Sequence, residues 1–322
     1  MKAAILSAPD GMPSYGDFPD PETKAGRERV ALVAAGIHPV VHALATGTHY
    51  GSKGLWPMIP GIDAVARTED GTLIYTGFVE APYGTFAECM VIPTAMRFPL
   101  PVGADPLQIA AGMNPGLASW MPLLARKKHV DRLGTVLVLG VTGMAGALAV
   151  QNAFAMGAEI VIGTGRNQAG LRRAASHRAK TVELTGNRDA DAKAIADALG
   201  STSPSLVLDF VWGEPAEAAL IALGGKGLAE DSSDIVYVQI GAMAGASASV
   251  PASTLRSRRI QIVGSGSGTA SIADVLAQLP IYMQLVTDGR VEVPIRVFPL
   301  SKIAEAWSTR GESGQRVVIV PG

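Results

Sequence analysis

Residues 135–150, TVLVLGVTGMAGALAV, constrain this chain more than any other stretch. Thr135, Val136, Leu137, Val138 and Leu139 read as a buried strand, and an apolar helical run begins after Met144. Between them stands Gly140-Val141-Thr142-Gly143-Met144-Ala145-Gly146. A strand that turns so sharply into a helix needs residues without side chains at three places. Gly140 makes the turn, Gly143 lets the backbone approach a pyrophosphate, and Gly146 lets the helix lie close on the sheet. The N–H groups at the helix start, with Thr142, Met144 and Ala145 around them, then face the phosphates of a dinucleotide. The spacing is GxxGxxG rather than GxGxxG, and in a chain with 37 glycines a purely structural turn is the alternative.

A second strand over 159–162 follows one helix later and ends in Gly163-Thr164-Gly165-Arg166-Asn167. NAD-preferring sites place an acidic residue at that strand tip to hold the ribose 2′-hydroxyl. No Asp or Glu stands here, and Arg166, flanked by Gly165 and Asn167, offers a fork to a 2′-phosphate. NADP(H) is therefore the expected cofactor, against a reading of Arg166 as a solvated loop residue. Arg172, Arg173 and Lys180 add positive charge that a solvated helix face explains equally well. Ligands of open α/β sheets lie beyond the carboxyl ends of strands. That adds Val211 after one strand, Gly241 after another, and Gly264, Ser265 and Gly266 after a third. Each of these glycines also suits an ordinary turn.

From residue 130 to 263 strands and helices alternate, which predicts a doubly wound parallel sheet of about six strands. Before it the pattern is of short strands (1–7, 28–36, 63–67, 72–76 and 83–92) punctuated by Gly and Pro, which suggests a twisted, barrel-like β unit. Residues 9–29 read as loop and 39–46 as a helix; Met113-Asn114-Pro115-Gly116 is expected to end one helix before another starts at Leu117. The last sixty or so residues leave the α/β alternation, with helices over 272–287 and 300–309 and strands over 291–298 and 316–320.

Composition narrows the function. At 322 residues the chain can bury two cores, and a formal net charge of −1 gives no reason to expect a nucleic-acid surface or a polybasic membrane patch. No apolar run reaches the roughly 20 residues of a membrane span. MKAAILSAPD does not read as a signal peptide, so a cytoplasmic protein is expected. The single cysteine, Cys89, rules out an intrachain disulfide and a cysteine metal cluster. His38, His42 and His49 lie close in sequence, yet no HExxH or CxxC accompanies them, and no metal is expected. There is no GxSxG elbow for covalent hydrolysis and no Tyr-x-x-x-Lys pair; Tyr237, inside an apolar strand, is expected to pack there.

Taken together, AAGIHPVVHALATGTHYG, IPGIDAVA, YGTFAEC, AGMNPGLASW, VLVLGVTGMAGALAVQNAFAMGA, VIGTGRN, VLDFVWG, IVGSGSG and RVVIV resemble the medium-chain dehydrogenase/reductase superfamily over essentially the whole chain. The resemblance is to its zinc-free, quinone oxidoreductase-like branch. It implies an α/β fold in which a Rossmann doubly wound parallel sheet, residues 118–263, is inserted into a GroES-like β-rich domain made of residues 1–117 and 264–322. It also implies a substrate cleft between the two. Zinc-dependent relatives carry a catalytic Cys and a Gly-His-Glu segment; here those regions read Gly36-Ile37-His38-Pro39 and Gly61-Ile62-Asp63. Quinone oxidoreductases often carry Asn-Pro-Val-Asp where this chain has His38-Pro39-Val40-Val41, so His38 takes the place of an Asn that helps hold the nicotinamide ribose. Tyr50 matches an aromatic position of the family's substrate cleft.

The implied reaction is metal-free hydride transfer from C4 of NADPH to a quinone, an enone or another activated alkene, with Tyr50, His38 or water donating to the oxygen that gains charge. Reduction of enoyl thioesters or simple carbonyls is the alternative within enzymes. An NADPH-binding structural or regulatory protein with vestigial activity is the alternative outside them. A homodimer is expected, paired through the edge strand near residues 258–263.

Overall fold

The computed structural model describes residues 1–225, 231–266, 268–309 and 315–322. The chain divides into two compact units, Met1–Asn114 with Ala277–Gly322, and Pro115–Leu276. The return to the first unit comes inside a helix, after Leu276, rather than at Gly264 where the strand pattern stops.

The first unit opens with β1 (Lys2–Ile5) and β2 (Ser14–Asp17), an antiparallel pair. The loop expected over residues 9–29 thus contains a strand; β2 is exposed and lacks an apolar face, so it carries no periodic signal. A mixed sheet follows, built on β3 (Arg27–Gly36). Helix α1 (Pro39–Ala45) starts directly after it, with Pro39 in the first turn, where its missing N–H costs nothing. Strands β4 (Asp63–Arg67), β5 (Leu73–Gly77), β6 (Cys89–Pro93) and β7 (Phe98–Pro99) complete the N-terminal contribution.

Helix α2 (Pro106–Lys127) then runs unbroken through Pro115 and Pro122. The expected break at residues 113–116 does not occur. An interior proline costs about 3 kcal/mol, but packing holds the turn. The buried Asn152 amide donates to the Gly116 carbonyl (3.0 Å) and to the Ser119 hydroxyl (2.9 Å), fastening the stretch beyond Pro115.

The second unit holds a six-stranded parallel sheet. Its elements are β8 (Thr135–Leu139), α3 (Met144–Ala155), β9 (Ile160–Gly165), α4 (Gln168–Ser176), β10 (Lys180–Glu183), α5 (Arg188–Leu199), β11 (Leu206–Asp209), α6 (Gly213–Leu223), β12 (Ile235–Gln239), α7 (Ala252–Ser257) and β13 (Ile260–Gly264). The strand order is β10-β9-β8-β11-β12-β13, so the direction of winding reverses between β8 and β11. Val136, Leu137, Val138 and Leu139 are all fully buried, which explains the unbroken apolar run: a central parallel strand is covered on both faces.

Helix α8 (Ile272–Thr287) leads to β14 (Ile295–Pro299), α9 (Ile303–Ser308) and β15 (Arg316–Val320). These strands extend the first sheet in the order β14-β15-β3-β4-β5-β7, with β6 also on β3. Val318 opposes Gly36, so the end of the chain completes the sheet at the point where α1 begins. One core gathers Val30, Leu32, Ile59, Ile74 and Phe86 with Phe298 and Ile319, at about 1.5–3 kcal/mol per fully buried side chain.

Candidate active site

In the second unit the glycine turn between β8 and α3 leaves backbone open to a ligand. Gly140 has φ +92°, a conformation that suits glycine, and its N–H and that of Val141 both donate to the Thr164 carbonyl at 3.0 Å. A β-carbon on Gly146 would meet the Gly140 carbonyl oxygen at 2.2 Å, so α3 crosses the turn at backbone contact. Gly143 differs: the nearest atom to its absent β-carbon is 3.7 Å away. It is the N-cap of α3, and no side chain caps it. The first-turn N–H groups around Met144 and Ala145 therefore point to an open backbone surface, the arrangement an oxyanion needs. These features fit the pyrophosphate of a dinucleotide.

The neighbouring strand tips lie beside this turn. Thr142 packs where β-carbons of Gly165 and Gly170 would stand, at 2.4 and 2.7 Å. The bare Cα of Gly165 therefore makes room for Thr142, and Gly170 is a requirement that the sequence pattern did not expose. Asn167 caps α4, its side chain accepting from Gly170 N–H at 2.8 Å. Arg166 is exposed at the tip of β9 and engages no other described residue, while Arg173 reaches the Thr142 carbonyl at 3.4 Å. Val211 lies across the winding reversal, its Cγ1 2.8 Å from where a Gly140 β-carbon would be. Gly241 is pressed against the Phe210 carbonyl (2.5 Å), which makes it a packing glycine, whereas Gly264 is open. Ser265 N–H donates to the Gln239 carbonyl, and Gly266 is held in a turn by Thr269.

The first unit carries a buried polar cluster. His38 is 1% exposed, and its ring folds back over Gly36, where a β-carbon would meet imidazole Nε2 at 2.7 Å. Nε2 lies 3.3 Å from Asp63 Oδ1, and the Tyr75 hydroxyl donates to Asp63 Oδ2 at 2.6 Å. Arg316, also buried, donates to the Ile37 carbonyl at 2.8 Å. The three histidines diverge: His42 stacks on Trp307 (4.0 Å) and His49 on Tyr50 (4.1 Å). Tyr50 is 75% exposed, its phenol open to a ligand. The ring of His38, the residue expected to help hold the nicotinamide ribose, is buried and points inward to Asp63. Sequence could not pair residues so far apart, although an aspartate opening Asp63-Ala64-Val65-Ala66 and an arginine opening Arg316-Val317-Val318-Ile319-Val320 were visible oddities.

Burial pushes the His38 imidazole below its ordinary pKa, with Asp63 opposing and Arg316 assisting; burial and Arg316 likewise lower His42. Asp63, Tyr75 and Arg316 are the other charged or titratable groups of this cluster. Below about pH 6.5 the unfolded histidines take protons that the folded ones refuse, so stability must fall on acidification, by about 1.4 kcal/mol per pH unit for each such proton. Melting temperatures at pH 7, 6 and 5 are expected to decline, and to decline less steeply in His38→Asn. An unchanged slope in that variant counts against a neutral buried His38.

No family model matches the chain. It is 28% identical to the probable NADPH-dependent quinone reductase of Emericella nidulans, over 96% of each chain. The quinone oxidoreductase of Thermus thermophilus, whose structure is known with NADPH, is 27% identical, with a TM-score of 0.79 over 99% of this chain and 100% of that one. A Pseudomonas syringae quinone oxidoreductase shares the fold at 21% identity, with a TM-score of 0.80 over all of both chains. Over essentially its whole length the chain is thus similar to quinone oxidoreductases, and it shares their fold. His38 and Asp63, which lie 25 positions apart in the sequence, meet at 3.3 Å. Among the described residues no group of three His, Cys, Asp or Glu side chains is gathered, and no helix is long and apolar enough to cross a membrane.

Proposed function

We propose that the protein is an NADPH-dependent reductase of quinones and enones. The observation that carries this reading is the open, uncapped α3 N-terminus at Gly143, beside a β9 tip that bears Arg166 and no carboxylate. The chemistry the cofactor supplies when bound is hydride transfer from C4 of its nicotinamide. The chain's part is to bind and orient. The backbone N–H groups after Gly143 hold the pyrophosphate, and Arg166 pairs with the 2′-phosphate. Tyr50 donates a hydrogen bond to the acceptor oxygen as negative charge grows there. His38 positions the start of α1 from inside, and solvent provides the proton. The reductase activity named for the E. nidulans and T. thermophilus relatives supports the same reading.

The test is NADPH oxidation, with NADH alongside, against 1,4-benzoquinone, a small enone and a simple ketone. Turnover of quinone or enone with NADPH is expected; ketone turnover alone transfers the reading to a carbonyl reductase. Arg166→Ala is expected to raise KM for NADPH about tenfold while leaving that for NADH unchanged. Equal effects on both cofactors would remove the 2′-phosphate role. We also propose a homodimer through β13, one of the two edge strands of its sheet, where Val263 is 43% exposed. Light scattering on the eluted protein decides this.

A further inference from the structure

The turn after β11 is built around a carboxylate that binding a dinucleotide does not itself require. Asp209, the last residue of β11, is fully buried. Its Oδ1 accepts from the N–H groups of Val211 (2.8 Å) and Trp212 (2.9 Å). Its Oδ2 accepts from the hydroxyl of Tyr237 on β12, at 2.6 Å. Tyr237 is itself fully buried and packs edge-on against Trp212, ring centres 6.3 Å apart. The expectation that Tyr237 only packs is thus incomplete, since its hydroxyl has a specific acceptor. Burial pushes the Asp209 carboxyl above its ordinary pKa, and the three donors oppose that shift.

What these bonds maintain is a strained backbone. Trp212 has φ +54°, a left-handed conformation that a bulky residue rarely adopts. With its N–H turned inward to Asp209, the Val211 carbonyl faces the other way and accepts from Ala244 N–H at 2.7 Å. Val211 is fixed from both sides, and its side chain lies over Gly140 at the winding reversal. Without the Tyr237 hydroxyl, one of three donors to the carboxylate is gone. Trp212 can then relax toward negative φ, and that rotation moves Val211 off the glycine turn.

We infer that Asp209 and Tyr237 are positioning residues for the dinucleotide, which act through Val211 and Trp212 to hold one wall of the phosphate cradle in place. This rests on the NADPH reading above. The wall is common to NADPH and NADH, so its effect is on both, unlike that of Arg166.

NADPH and NADH are titrated calorimetrically into the full-length wild type, Tyr237→Phe, Asp209→Asn, Asp209→Ala and Ile195→Val. Ile195, fully buried in α5, belongs to the same apolar core as Tyr237 and has no polar side-chain atom, so Ile195→Val supplies a control for lost core stability. Tyr237→Phe is expected to weaken both cofactors about tenfold. Ile195→Val is expected to lower the melting temperature without altering either Kd. Asp209→Asn keeps an oxygen for the two backbone N–H groups and offers an amide N–H to the phenol oxygen, so it recovers most of what Asp209→Ala loses. If the wild type binds NADPH and Tyr237→Phe binds it equally well, or Ile195→Val loses as much affinity, the positioning role is overturned. If the wild type binds neither cofactor, the NADPH reading itself fails and this inference with it.

Discussion

Alanine at Gly146 is expected to abolish measurable cofactor binding and to lower stability together. Its β-carbon would lie 2.2 Å from the Gly140 carbonyl oxygen and 2.8 Å from the Val141 Cα. Both are backbone atoms, so no side chain can swing away. Either α3 lifts from β8 or the turn opens. Overpacking of this kind costs roughly 1–3 kcal/mol or more, and displacement of the cradle by about 1 Å is enough to cost roughly a hundredfold in a positioned site. Gly143→Ala separates the two effects. Its methyl would meet only the Gly140 carbonyl oxygen at 3.7 Å, an ordinary contact, so the variant should melt like the wild type. The same methyl enters the space assigned to the pyrophosphate, so NADPH affinity should drop. Calorimetric titration and thermal melts on both variants check this. Wild-type affinity in Gly143→Ala would place the phosphates elsewhere.

Removal of the Asp63 carboxylate is expected to give the largest stability loss in the first unit. Asp63→Ala leaves the Tyr75 hydroxyl without its acceptor and Arg316 without the nearby negative charge. Burial already brings Arg316 down to about 10, the cost of a cation held among apolar strands. Breaking a buried charge arrangement by taking away one partner typically costs about 3–5 kcal/mol. For a protein of this size each kcal/mol shifts Tm by roughly 2–4 °C, so a fall of about 10 °C is expected at pH 7. A paired replacement, Asp63→Leu with Arg316→Met, should recover part of it, because the lone charge is then also gone. Melts of the singles and the double form the cycle. A loss below about 1 kcal/mol in Asp63→Ala would show that the groups are not coupled.

The contrast between the two units explains what was readable. In the second unit each functional element is local: a strand, its turn and the next helix are contiguous, and the glycines announce the turn because backbone contact excludes every other residue. Residues 135–150 therefore announce the strand, the tight turn and the helix, and the strand tip after β9 shows Arg166 and no carboxylate. Even there, the room that Gly165 and Gly170 leave for Thr142 is not legible, because a packing glycine and a ligand-facing glycine look alike along a chain.

The sequence by itself determined the alternation of strand and helix in residues 130–263, the buried β8, and the family likeness that implies hydride chemistry. Those signals rest on apolar periodicity and backbone sterics, which act between near neighbours. Only the tertiary structure decided that α2 survives Pro115, since the compensating Asn152 comes from another helix. Only it turned His38 inward, by setting its ring against Asp63 of a strand far along the chain. It also made Tyr237 more than a packing residue, by setting its hydroxyl against Asp209 of the adjacent strand. The cause is the same in each case. Buried polar groups must find partners, and which partners they find depends on strand order and register, neither of which is written in any one stretch of chain.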